Sequence, residues 1–194
     1  MNQLTMKKIT KTNASEVSKH ADLEKSTLSL LTPELSTEEF VRLLLEKKLY
    51  KEVINILAQA LPPREAVYWA SLCAKDQLEK TPSEEDEKAI KAAERWMYKP
   101  NDEDRYINQT FAEKLEYSTS AAWVSNAIFW SGGSILPPNE PKVEPAEGLF
   151  GKAISGAVKL ASVDDDPVKM EKLQKKFVAR GIDVAQGGKG DKLK

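Results

Sequence analysis

The sequence holds one cysteine, Cys73, and one histidine, His20, in 194 residues. A single cysteine excludes an internal disulfide. The flanking Trp69, Ala70 and Ala74 mark Cys73 as a buried and inert thiol. His20 falls in a polar N-terminal stretch, away from every strongly periodic segment. Catalysis by Ser-His-Asp or Cys-His groups within one domain, and metal sites built on histidine, are therefore not expected. No adjacent arginine pair occurs, and the basic start MNQLTMKKIT is followed by no apolar stretch. That argues against the usual export signals and for a cytoplasmic protein. The apolar runs fall far short of the roughly 20 residues that span a bilayer. Charge of one sign is missing too: the formal net charge is −1. Without a global positive field or interleaved basic and aromatic residues, nucleic-acid binding is disfavoured.

What is present is a globular balance, with 41% apolar and 30% charged residues. The apolar residues recur at helical spacing. Ser36 and Glu39 form a capping box ahead of Phe40, Val41 and Leu44. A second helix carries Val53, Ile54, Ile56 and Leu57. A third begins after Pro62-Pro63 and is apolar nearly all round, from Ala66 to Ala74. The fourth opens at Ser83 with acids in its first turn and stops at Pro100, and Asn101 caps the fifth. The sixth, about residues 119–130, is the most apolar and ends in Ser131-Gly132-Gly133-Ser134. After a proline-rich connector the seventh spans about residues 149–162. The eighth starts at Asp166-Pro167 and closes at Gly181. No segment alternates apolar and polar residues as a half-buried strand does.

The expected architecture is all-α: a compact multi-helix bundle of about eight helices. Residues 1–31 read as a flexible, disordered N-terminal arm, residues 32–185 as the helical domain with a linker at 133–146, and residues 186–194 as a flexible tail. Trp69 and Trp123 lie on the two most apolar helices and are expected to be buried in one core.

Few motifs suggest chemistry. The carboxylates bunch at helix starts, where capping and solvation explain them. Asp164-Asp165-Asp166 lacks the ligand alternation of a calcium loop. Gly151-Lys152-Ala153-Ile154-Ser155-Gly156 has the glycine spacing of a phosphate loop, but Ala157 and Val158 stand where Lys-Ser/Thr must follow. No catalytic residue, cofactor or metal site is expected. One segment stands out as a candidate partner-binding surface: Trp130, Ser131, Gly132, Gly133, Ser134 and Leu136. The sixth helix ends there with no charged residue in its last turn to offset its dipole. Two glycines leave backbone groups uncovered, and Pro137-Pro138 stiffen the exit.

Several stretches together carry a resemblance. They are Leu61-Pro62-Pro63-Arg64-Glu65-Ala66-Val67-Tyr68-Trp69-Ala70, then Ala92-Ala93-Glu94-Arg95-Trp96 with Pro100 and Arg105, then Ala121-Ala122-Trp123. Phe129-Trp130-Ser131-Gly132-Gly133-Ser134 with Pro137, and Phe177, Gly181 and Asp183-Val184-Ala185, complete the pattern. Over about residues 36–190 the chain resembles an uncharacterised bacterial family of helical proteins. That family is often encoded among type VI secretion accessory genes, near adaptor and spike-tip proteins. Some of its members are labelled as having a twin-arginine signal, which this sequence lacks. The resemblance brings no known active site. It implies an accessory role: a non-enzymatic, chaperone-like adaptor that helps load an effector or spike component, with a protein as its partner. The alternative is a small helical enzyme or a carrier of an apolar ligand.

Overall fold

The computed structural model describes residues 5–137 and 139–191. Pro138, part of the expected connector, and the outermost residues of the expected arm and tail lie outside them. Among the described residues ten helices follow in order: α1 (Ala14–Ser18), α2 (Lys25–Leu28), α3 (Thr37–Glu46), α4 (Tyr50–Ala60) and α5 (Pro63–Leu78), then α6 (Glu84–Tyr98), α7 (Asp102–Lys114), α8 (Ser120–Phe129), α9 (Leu149–Ala161) and α10 (Pro167–Ala185). No strand occurs among the described residues, where Asn13 and Ser36 form one isolated bridge. The fold is all-helical, and α3 to α10 correspond to the eight helices read from periodicity.

The caps that start these helices are the expected ones. The Ser36 hydroxyl accepts from Glu39 N–H at 3.2 Å, and Glu39 returns a bond from the Ser36 N–H at 3.0 Å. Ser83, Asn101, Thr119 and Asp166 cap α6, α7, α8 and α10, each side chain accepting one backbone N–H. The interior is built around α5, α8 and α9, whose buried faces mix small residues with Val67, Trp69, Val124, Ile128, Ile154 and Val158. Small side chains let the three axes approach closely; α4 is buried from Glu52 to Ala60, and α6, α7 and α10 pack around the others.

Trp69 is fully buried, and its indole N–H donates to Phe177 O at 2.8 Å. Trp123, expected to be buried in the same core, packs against it but is only half-buried, its ring 6.3 Å from that of Tyr117. The eighth helix does not close at Gly181 but continues to Ala185. Gly181 marks a close approach rather than a stop. A Cβ there would lie 2.7 Å from Trp69 Cε2.

The N-terminal segment departs most from expectation. Residues 5–31 lie along the bundle, with Met6, Ala14 and Val17 buried in the core. Lys8 N–H donates to Ala185 O at 2.8 Å and Thr10 N–H to Ala60 O at 3.0 Å. Polar side chains of α4 hold the rest. Glu52 Oε1 accepts from Glu24 N–H at 3.2 Å, and Gln59 Nε2 donates to His20 O at 3.0 Å. Such docking through side-chain-to-backbone bonds gives the segment no helical period, so its few apolar anchors resemble a solvated tail. The expected loose tail also has partners, since Gly190 is buried and its N–H donates to Asp183 Oδ2 at 2.8 Å.

Candidate functional site

Four chain segments meet at one end of the bundle. Pro62 precedes α5 and Pro63 opens it, so the helix begins with no side-chain cap. Its first turn exposes Arg64, which makes no ion pair among the described residues, and Glu65, which pairs with Lys8 at 3.3 Å. Trp96, near the end of α6, is almost wholly buried, and Pro100 turns the chain into α7. Asn101 accepts from Asp104 N–H at 2.8 Å while its own amide donates to Lys99 O and Asp104 Oδ2. The fourth segment is the Ser131-Gly132-Gly133 turn after α8.

Between them runs an open groove of about 600 Å³. Pro62, Pro63, Pro100 and Trp96 give it apolar walls, while Arg64, Asp102 and the glycine turn supply polar edges. Prolines add rigid apolar surface at little entropic cost to a ligand that lies against them.

Arg105 organises this end. It is 4% exposed, and its Nε donates to Asp102 Oδ1 at 2.8 Å. Its Nη1 reaches Phe129 O at 2.5 Å and its Nη2 reaches Ser134 O at 3.0 Å. The guanidinium also lies over the rings of Tyr106 and Phe129, 5.2 and 5.5 Å from their centroids. The carbonyl end of α8 is thus answered by a cation from α7. The dipole argument that singled out this helix end on sequence grounds does not hold, because the compensating charge comes from a neighbouring element.

The six candidate residues divide accordingly. Ser131, Gly132 and Gly133 line the groove. Gly132 takes φ +153° with no heavy atom within 4 Å of a Cβ built there, so its backbone lies open. Trp130 is the C-cap of α8 and packs half-buried against the core. Ser134 braces the following loop, its hydroxyl accepting from Leu136 N–H at 3.1 Å and Val143 N–H at 3.3 Å. Leu136 contributes its carbonyl to the Tyr106 hydroxyl at 2.8 Å. Trp130, Ser134 and Leu136 do not line the groove.

Sequence reading of the candidate surface omitted the opposite wall, formed by Pro62, Pro63, Arg64, Trp96 and Pro100. The signal was nevertheless present. Each of these residues, with Arg105 and the Ser131-Gly132-Gly133 turn, belongs to the stretches that carry the family resemblance.

A protein-family model described as a family of unknown function (DUF6931) matches residues 40–185. No curated protein and no solved structure matches the chain.

Proposed function

The chain belongs to this DUF6931 family of unknown function, and we propose that it is a non-enzymatic, chaperone-like adaptor that holds a protein partner in the groove at the start of α5. The observation that carries the reading is convergence. Four segments, at residues 62–65, at Trp96, at residues 100–105 and at residues 131–133, meet on one open surface. A rigid proline wall, a half-buried glycine turn with free space beside Gly132, and an Arg64 with no ion pair among the described residues are suited to an extended polypeptide, which needs apolar contact along its length and hydrogen bonds at intervals. The charged groups Glu65, Asp102 and Arg105 are engaged in ion pairs. The groove therefore offers binding surface rather than a group poised to move a proton.

The resemblance to proteins encoded with type VI secretion accessory genes supplies the setting. The partner is an effector or spike component of that machinery, held in the cytoplasm for loading. Arg64 is exposed, and Arg64→Glu reverses the one groove charge that has no ion pair among the described residues. It should weaken capture of the partner purified from its own host by about tenfold, the scale of one charge-assisted hydrogen bond. Capture at undiminished affinity, with the melting temperature also unchanged, would place the partner elsewhere.

A further inference from the structure

A second cleft, of about 330 Å³, opens between α4, α9 and the chain at Ala21–Asp22. It shares no lining residue with the groove and stands independently of the adaptor reading. The segment Gly151–Gly156, with its phosphate-loop spacing, forms this wall, yet it lies wholly inside α9. Most of its backbone N–H groups belong to the helix, so it cannot cradle a phosphate as a loop would. What it contributes is side chains: Lys152, Ser155 and Lys159 follow at i, i+3 and i+7, on one face, and all line the cleft.

Several polar groups here are already committed. Asn55 donates to Asp22 O at 2.5 Å and accepts from the Ser155 hydroxyl at 2.5 Å. Gln59 Nε2 donates to His20 O and Gly148 O, each at 3.0 Å. Both of those partners are carbonyls, so the amide nitrogen must face them. The Gln59 amide lies against Gly151, where a Cβ would come within 2.5 Å of Oε1 and 2.6 Å of Nε2. Among the described residues no donor reaches Gln59 Oε1, although Gln59 is only 8% exposed. The oxygen is open to solvent in the cleft, so it is free to accept from a ligand.

The charges are unspent as well. Lys152 and Asp22 are exposed and Lys159 is half-buried, and none of the three forms an ion pair among the described residues. Burial holds the Lys159 ammonium below the ordinary lysine range, partly offset by the Asp22 and Glu52 carboxylates, while Lys51 adds to the depression. The cleft thus presents ammonium donors on α9 and, on the other walls, the acceptors Gln59 Oε1 and Asp22. A simple anion would leave the amide oxygen unmatched and face Asp22. A simple cation would face two lysines. We propose that the cleft binds a small zwitterion of the amino-acid type, its carboxylate on Lys159 and Lys152 and its ammonium on Asp22 and Gln59 Oε1. The volume lies at the lower end of the range of small-molecule sites, as such a ligand requires.

The full chain, labelled with nitrogen-15, is titrated with the common amino acids in turn. The tightest binder is then compared with its amine-free and carboxylate-free analogues. The expected result is a saturable shift of the Gln59 side-chain amide and of the Gly156 N–H, with each analogue at least about tenfold weaker. Lys159→Met and Asp22→Asn should each cost about tenfold in affinity at an unchanged melting temperature. The proposal is overturned if no amino acid gives a saturable shift, if the amine-free analogue binds as tightly, or if both variants bind like the parent.

Discussion

The Arg105 guanidinium occupies the space that a side chain on Gly133 would need: a Cβ there would lie 2.9 Å from Arg105 Cζ and 3.0 Å from Asp102 Oδ1. Gly133 also sits at φ +69°, which other residues adopt at a cost. Gly133, in the turn beyond the Trp130 cap of α8, thus shares its space with the cation that answers the same helix end. Gly133→Ala should destabilise the protein by about 2–4 kcal/mol, from backbone strain and displacement of the guanidinium together. Part of that penalty should vanish in an Arg105→Ala background, leaving a non-additive double-mutant cycle in urea unfolding. Strict additivity would mean that the two residues do not share this space.

Gly181 supplies a case where helix propensity and packing disagree. In an exposed helix interior, alanine for glycine adds about 1 kcal/mol of stability. Here the new methyl would meet Trp69 Cε2 at 2.7 Å and Leu57 Cδ1 at 3.0 Å. Gly181→Ala should therefore destabilise, by about 1–3 kcal/mol as over-packed cores do. A raised melting temperature would show that Trp69 has room to move.

A chain beginning at Thr32 should lose at least about 3 kcal/mol of stability, because Met6 and Val17 alone bury two full apolar side chains. In the whole protein the amides of Lys8, Thr10 and Ala14, which donate to Ala185, Ala60 and Leu35, should exchange slowly. Rapid exchange at all three would restore the picture of a free arm.

The capping box at Ser36 carries a pH signature. The Ser36 hydroxyl and then its N–H hold the Glu39 carboxyl below the ordinary glutamate range. A depressed folded pKa contributes stability above the unfolded value and loses it as pH falls through the lowered folded value. Ser36→Ala should accordingly cost most near neutral pH, and the gap between the two melting temperatures should narrow in acid. A gap that stays constant would detach Glu39 from the cap.

These relationships also show what the sequence could convey. Helix starts were legible because each is local: Ser36 with Glu39, Asn101 with Asp104, and Asp166 with Pro167 carry their partners within three residues. The end of α8 was not, since its partner Arg105 stands on another helix, 24 residues before Phe129. Gly181 read as a stop because a close approach to Trp69 and a left-handed cap both select glycine. Residues 5–31 were misread because two short helices and the turns around them, held by Glu52, Asn55 and Gln59, show no sustained period. One wall of the groove, Ser131 to Gly133, was found from the glycine turn. The other, Pro62 to Arg64, was seen only as a helix start.

The central claim is that the groove holds a protein partner, and crosslinking in the native host tests it most directly. A photoreactive amino acid is placed at Arg64 or Asn101, both exposed in the groove, and as a control at Lys169, exposed on α10. The account predicts one protein adduct shared by the two groove positions, absent from the control, and identified as an effector or spike component of the secretion machinery. No adduct from either groove position, or the same adduct from Lys169, would contradict it.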